Sequence, residues 1–190
     1  VILVDHQIDS LCLGIVPDDL RYFYFNMFNI PLPCKISPLV EPYDAELVNP
    51  ASLDIRIGET ARWKVSDGII CVDLREYVEA EPRWLNPGDL YLIASMETIN
   101  LPSFLTAQFK LKSSRAREYY GHQFAGFCDP GWHGSKLTME LVNDSPDLLP
   151  IYPGLKMGQL IFSLALGRPS RSYAVTGRYN GDQTVMESKG

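Results

Sequence analysis

Histidine and paired cysteine are scarce in this sequence. Its 190 residues hold 3 His and 4 Cys, and Cys12, Cys34, Cys71 and Cys128 are scattered without a C-x-x-C pair. The ligand spacing of a zinc site is therefore missing, and buried free thiols in a reducing, cytoplasmic setting are the expectation. No apolar run reaches the roughly 20 residues of a membrane-spanning helix, and residues 1–9 show no basic start followed by an apolar stretch. No membrane partner is expected. Positive charge is also short: 17 Lys and Arg face 23 Asp and Glu, a formal net charge of -6. Such a chain matches a nucleic-acid backbone poorly, and any phosphate it binds must meet a local basic patch. Internal repeats, low-complexity tracts and interdomain linkers are missing too. A single domain over residues 1–190 is the economical reading.

What the chain does have is punctuation and aromatic residues. Fourteen Gly and 14 Pro cut it into short segments filled by 10 Tyr, 8 Phe and 3 Trp, the texture of an all-β protein. Turn pairs recur at Asp67-Gly68, Pro87-Gly88, Pro130-Gly131, Pro153-Gly154 and Asn180-Gly181. Between them the runs alternate. Leu90, Leu92, Ala94 and Met96 share one face, Phe109 and Leu111 alternate with Lys110 and Lys112, and Leu137, Met139 and Leu141 alternate with Thr138 and Glu140. Helix signals are few. Asp5 can cap a helix that carries Ile8, Leu11 and Cys12 on one side and stops at Gly14; a second can start at Ser113 or Ser114 and end before Gly121. Residues 15–48 show no clear period and read as loop with room for a strand or short helix. Residues 178–190 are polar and read as a mobile arm able to order on a ligand.

Four segments carry chemistry. In Lys110–Arg117 an alternating strand delivers two hydroxyls to a helix start with cations on both sides, which is either a phosphate cradle or a solvated basic turn. Asp129-Pro130-Gly131 is a tight turn whose Asp can simply bond its own backbone. Glu140 is odder, because a mid-strand position between Met139 and Leu141 suits an apolar residue better. If its face lines a pocket, desolvation raises the carboxyl pKa toward neutrality, as a general acid and base requires; on an outward face it is an ordinary surface Glu. Asp54 and Arg56 alternate with Leu53, Ile55 and Ile57, and a surface ion pair would explain them. Finally, Arg178, Tyr179 and Gln183 in the arm combine a cation, an aromatic ring and an amide that can close over a nucleotide.

Together and in this order, these segments resemble the dCTP deaminase family, a branch of the trimeric dUTPase superfamily. The resemblance runs through Ile2–Ile8, Pro50–Gly58, Leu85–Gly88, Leu101-Pro102, Lys112–His122, Ala125-Gly126, Asp129–Trp132, Gly134, Leu137–Leu141, Tyr152–Gly154, Met157–Leu160, Tyr173 and Arg178-Tyr179. It implies a mostly β, distorted jelly-roll-like barrel with a few short helices, assembled as a homotrimer with each active site at a subunit interface. On that template Glu140 matches the catalytic glutamate, Ser113 and Arg117 the residues that orient it and the attacking water, and the Ala125 carbonyl a further water-positioning group. Lys112, Ser113 and Ser114 would hold the substrate triphosphate with Mg2+, joined by Tyr173, Arg178, Tyr179 and Gln183 as the arm closes. Asp129 matches the aspartate that contacts the deoxyribose 3'-hydroxyl.

The implied activity is zinc-independent hydrolysis of dCTP to dUTP and ammonia, with dTTP a candidate inhibitor. A bifunctional enzyme that continues to dUMP and pyrophosphate is the alternative, favoured modestly by His122-Gln123 with Ala125-Gly126. A non-catalytic nucleotide-binding trimer is a third reading. Departures from the family pattern are one residue fewer between Arg117 and His122, one more between Gly134 and Glu140, Phe124 in place of a common Thr, and Lys112 in place of a common Arg. A β-bulge is expected to absorb the extra residue and keep Glu140 pointing inward.

Overall fold

The computed structural model describes residues 1–123 and 125–190. Two helices, α1 (Asp5–Cys12) and α2 (Asp18–Phe28), lead into short strands β1 (Val40–Glu41) and β2 (Val48–Asn49). The body is built from β3 (Ser52–Val65), β4 (Gly68–Asp73), β5 (Arg83–Leu85), β6 (Leu90–Asn100) and β7 (Leu105–Leu111), then α3 (Ser113–Arg117). After it come β8 (Tyr120–His122), β9 (Phe127–Cys128), β10 (His133–Asn143), β11 (Leu149–Ile151), β12 (Lys156–Leu164) and α4 (Tyr173–Thr176).

One sheet runs β8-β10-β6-β3-β12-β7-β9, with β1 added to β6 and β2 and β4 to β3; β5 and β11 pair separately. Curling comes from β3, which is 14 residues long and changes partners along its length. Leu53–Arg56 pair with β12, whereas Ala61–Lys64 pair with both β4 and β6. At the change of partner Gly58 passes so close to β6 that a Cβ there would lie 2.6 Å from the Ser95 carbonyl oxygen, so only glycine permits the approach. The backbone N–H of Arg56, beside this irregularity, donates to the fully buried carboxylate of Glu97 at 3.0 Å, and Arg56 Nε donates to the same group at 2.7 Å. Arg56 thus pairs with Glu97 and, at 3.7 Å, with Asp44. The expected Asp54–Arg56 surface pair is not formed: Asp54 is buried and is held instead by Lys112 and Asn49.

The core follows the alternation. β10 buries Leu137, Met139 and Leu141, and β7 buries Ala107 and Phe109. On β6 Tyr91, Ile93, Ser95, Glu97 and Ile99 are fully buried on one face; of the alternate set only Ala94 is buried, while Leu90, Leu92 and Met96 are half-buried. Burial of each large aliphatic chain contributes roughly 1.5–3 kcal/mol. α1 turns Ile8, Leu11 and Cys12 inward, as its spacing predicts, and follows Val4 as the N-cap with Asp5 in its first turn. Residues 15–48 do hold an element the sequence concealed. α2 has Asp18 and Asp19 in its first turn, buries Leu20 and Tyr24, and ends at Asn29 in the left-handed region, φ 53°. Its outward residues include Tyr22, Phe25 and Met27, so apolar side chains surround the helix and no period stands out.

The thiols divide. Cys12 and Cys128 are buried and Cys34 and Cys71 exposed, all four free, so the expectation of buried cysteines holds for two of them. No helix among the described residues is long and apolar enough to cross a membrane.

Candidate active site

Glu140 sits on β10 opposite Leu92 of β6, on the face it shares with Lys136 and Thr138. That face lines a cavity of about 690 Å³. Two irregularities in the β10–β6 pairing aim it there. His133 pairs with Asn100 but Ser135 with Ile99, which places an extra β10 residue at Gly134, where φ is +65°. The expected bulge is therefore present in β10, at the glycine best suited to it. The second irregularity, between Lys136 and Thr138, puts the additional residues on β6.

The cavity walls come from four places. β3 and β4 bring Arg62, Lys64 and Ile69; β6 brings Leu90 and Leu92; the β9–β10 region brings Ala125, Cys128, Asp129 and Trp132; and the C-terminal segment brings Tyr173, Tyr179, Asp182, Met186, Glu187 and Ser188. Apolar walls with a few convergent polar groups suit a small molecule of nucleotide size. The Glu140 side chain is 24% exposed, and its Oε2 has no hydrogen-bond partner among the described residues. Burial pushes its carboxyl above the usual carboxylate range, partly offset by its own backbone N–H. His122 Nε2 lies 3.4 Å from Oε2. Burial, with Lys110 adding to it, pushes that imidazole down to about 4, so it is neutral at pH 7. Neighbouring Cys128 is pushed by burial up to about 12 and is inert as a nucleophile.

Residues 178–190 lie along β10 and over the cavity. Lys136 N donates to the Asp182 carbonyl at 2.7 Å and Gly181 N to the His133 carbonyl at 3.3 Å. Gln183 Nε2 donates to the Gly134 carbonyl, at the bulge. Further along, Val185 is buried, Met186 N donates to Thr138 Oγ1 at 3.3 Å, and Glu187 pairs with Arg62. Trp132 Nε1 and Ser135 Oγ both donate to the Tyr179 carbonyl, at 3.0 and 2.6 Å.

Of the residues singled out from the sequence, Glu140, Ala125, Asp129, Tyr173 and Tyr179 line this cavity together. Lys112, Ser113, Ser114, Arg117, Arg178 and Gln183 do not. Ser113, Ser114 and Arg117 are exposed on α3, and Lys112, its N-cap, is held by Asp54. Arg178 is exposed and contributes its carbonyl to Lys189. Phe124, expected to shape the pocket beside the base, lies outside the described residues. Sequence reasoning overlooked Arg62, Lys64 and Lys136. Period two was the available signal: Arg62 and Lys64 alternate along β3 as Lys136, Thr138 and Glu140 do along β10, but nothing local indicates that these faces meet.

The sequence model of the dCTP deaminase-like family matches residues 35–165. A Rhodococcus opacus (strain B4) protein named "dCTP deaminase, dUMP-forming" is 33% identical over 164 residues, 79% of this chain and 86% of the relative. A Methanopyrus kandleri protein of the same name is 35% identical over 170 residues, 81% of this chain and 86% of the relative. Among solved structures, the 2'-deoxycytidine 5'-triphosphate deaminase from Agrobacterium tumefaciens superposes with a TM-score of 0.64 at 21% identity, over 86% of this chain. This chain spans about half of that one, 48%, and the likeness supports the fold. With a family match over most of its length and relatives above 30% identity, the chain belongs to the dCTP deaminase-like family.

Proposed function

We propose that this chain hydrolyses dCTP to dUMP, ammonia and pyrophosphate, with Glu140 carrying the protons of the deamination. The observation that supports it most is the Glu140 carboxyl itself, half-buried in a nucleotide-sized cavity with one oxygen unpaired. An unpaired buried oxygen costs stability and is retained where a ligand or reaction uses it. In the deamination, water adds through oxygen to C4 of cytosine and Glu140 carries its first proton to N3; Glu140 then takes the proton of the new C4 hydroxyl and gives it to the amino group, which leaves as ammonia. Collapse of the adduct gives uracil. A carboxyl with a raised pKa gives up and regains a proton at neutral pH more readily than an ordinary one. Ala125 and Asp129 line the same cavity, and in this reading the Ala125 carbonyl orients the water and Asp129 meets the sugar hydroxyl.

The homotrimeric reading accounts for the residues outside the cavity. Ser113, Ser114 and Arg117 are exposed on α3, so a neighbouring copy is the natural source of these groups for each Glu140. In the second step, a water attacks the α-phosphorus of dUTP and pyrophosphate departs. Mg2+ bound to the triphosphate would supply charge neutralisation for this step. Asp129, a carboxylate of the cavity wall, is the residue that would complete its shell beside phosphate and water. The curated relatives bear the name "dUMP-forming", which favours dUMP over the dUTP first expected as the final product.

Incubation with dCTP and Mg2+, followed by anion-exchange separation, tests the proposal. Equal amounts of dUMP, pyrophosphate and ammonia support it. Accumulation of dUTP restricts the chain to deamination, and tight dCTP binding without turnover makes it a nucleotide sensor.

A further inference from the structure

His122 is tied to Glu140 in three ways. Its strand, β8, pairs with β10 so that His122 lies opposite Leu141, and the next residue, Gln123, donates its backbone N–H to the Glu140 carbonyl at 3.1 Å. The imidazole is 10% exposed and packs against Phe109 with ring centroids 4.8 Å apart and planes inclined by 52°. It is therefore held in place, with Nε2 toward the unpaired Oε2 of Glu140. The 3.4 Å separation is longer than a formed N–H···O bond, and contacts of this kind tighten when substrate closes a site.

We propose that His122 is a positioning residue for Glu140: its neutral imidazole donates Nε2–H to Oε2 and so reserves Oε1 for the water and the pyrimidine. The inference rests on Glu140 being the proton carrier. As the water oxygen bonds to C4, its proton moves to Oε1 and then to N3, while the imidazole keeps its own proton throughout. Oε2 accepts from Nε2–H in both the carboxylate and the acid, so the mobile proton is never stranded on the oxygen remote from substrate. Neutrality of His122 is essential, since an imidazolium would hold Glu140 ionised and unable to keep the proton. Lys110 on β7 opposes that charge from one side. On the cavity side the charged groups are Arg62 and Lys64 of β3, Lys136 of β10, Asp129, and Asp182 and Glu187 of the arm.

The test compares ammonia release by wild type, H122F, H122Q and E140Q across pH. H122F is expected to lower kcat about 100-fold with little change in KM, and to move the acid limb of the profile up by about one pH unit, because the charged carboxylate loses its donor. H122Q places an amide N–H near the position of Nε2 and is expected to recover about 10-fold of the loss, which a purely packing role does not predict. Titration of the 13C-labelled Glu140 carboxyl by NMR reads the same shift without turnover, and in H122Q alone should H122F not fold. Unaltered kcat and an unmoved acid limb in H122F, or an unmoved carboxyl titration, overturn the role of His122 while E140Q remains inactive. Normal turnover by E140Q overturns the reading of Glu140 itself.

Discussion

Lys112 Nζ lies 2.6 Å from each carboxylate oxygen of Asp54, a side chain only 4% exposed on β3. The residue that the motif assigns to a triphosphate is thus already neutralised by the sheet. Asp54 also accepts from Asn49 Nδ2 at 2.8 Å and faces Lys156 at 3.8 Å. A buried carboxylate with these partners fixes where β7 ends and α3 begins, and so fixes Ser113 and Ser114.

Breaking that pair from one side leaves a charge without its partner. Asp54→Asn is expected to lower unfolding free energy by roughly 3 kcal/mol, read as a reduced urea midpoint. The double variant D54N/K112M recovers part of the loss, because both charges are then removed. Additive losses would show that the two residues are not coupled.

The pH dependence of stability has two opposed contributions at the site. His122 falls from 6.5 in the unfolded chain to about 4 in the folded one. Between those values the unfolded state binds more protons, so stability drops as pH falls from 6.5 toward 4, by about 3 kcal/mol in total. Glu140 is raised on folding. Its native form holds a proton that the unfolded chain has released, so its contribution is present below pH 4.5 and is lost as pH rises through the folded value. Urea midpoints measured from pH 4 to 7 are expected to flatten on the acid side in H122F relative to wild type. Parallel curves would contradict a buried neutral His122.

Docking of the arm combines one buried apolar side chain, hydrogen bonds to β10 and the Glu187–Arg62 pair. Val185→Asp is expected to release the arm from Asp182 onward and so to speed amide exchange at Lys136, whose N–H is held by the Asp182 carbonyl. KM for dCTP rises about 10-fold if the arm also covers bound substrate, an effect comparable with losing one good contact. Protection at Lys136 equal to wild type would show that Val185 does not anchor the arm.

Much of this was legible before any coordinates. Alternation identified the strands, because a sheet with one buried face must repeat every second residue, as Leu137, Met139 and Leu141 do. Glu140 stood out for the same reason: a carboxylate placed among such residues needs a cavity, and the cavity is there. α3 was marked by its serines. What stayed hidden depends on distance along the chain. Glu97 lies 41 residues from Arg56, and neither announces the other, so the nearer Asp54 drew the pairing. α2 concealed its period by exposing Tyr22, Phe25 and Met27 as well as burying Leu20 and Tyr24. The turn at Lys112–Arg117 offers cations and hydroxyls that a phosphate cradle needs, but no local pattern says which cavity it serves, and α3 lies outside the cavity of its own chain.

The most direct measurement is ammonia release from dCTP by Glu140→Gln beside wild type, with dCTP binding followed by calorimetry on the same samples. Turnover is expected to fall by at least about 1,000-fold, within the range a positioned acid–base group supplies, while the dissociation constant for dCTP changes less than about threefold. Ammonia formed at the wild-type rate by this variant would contradict the account.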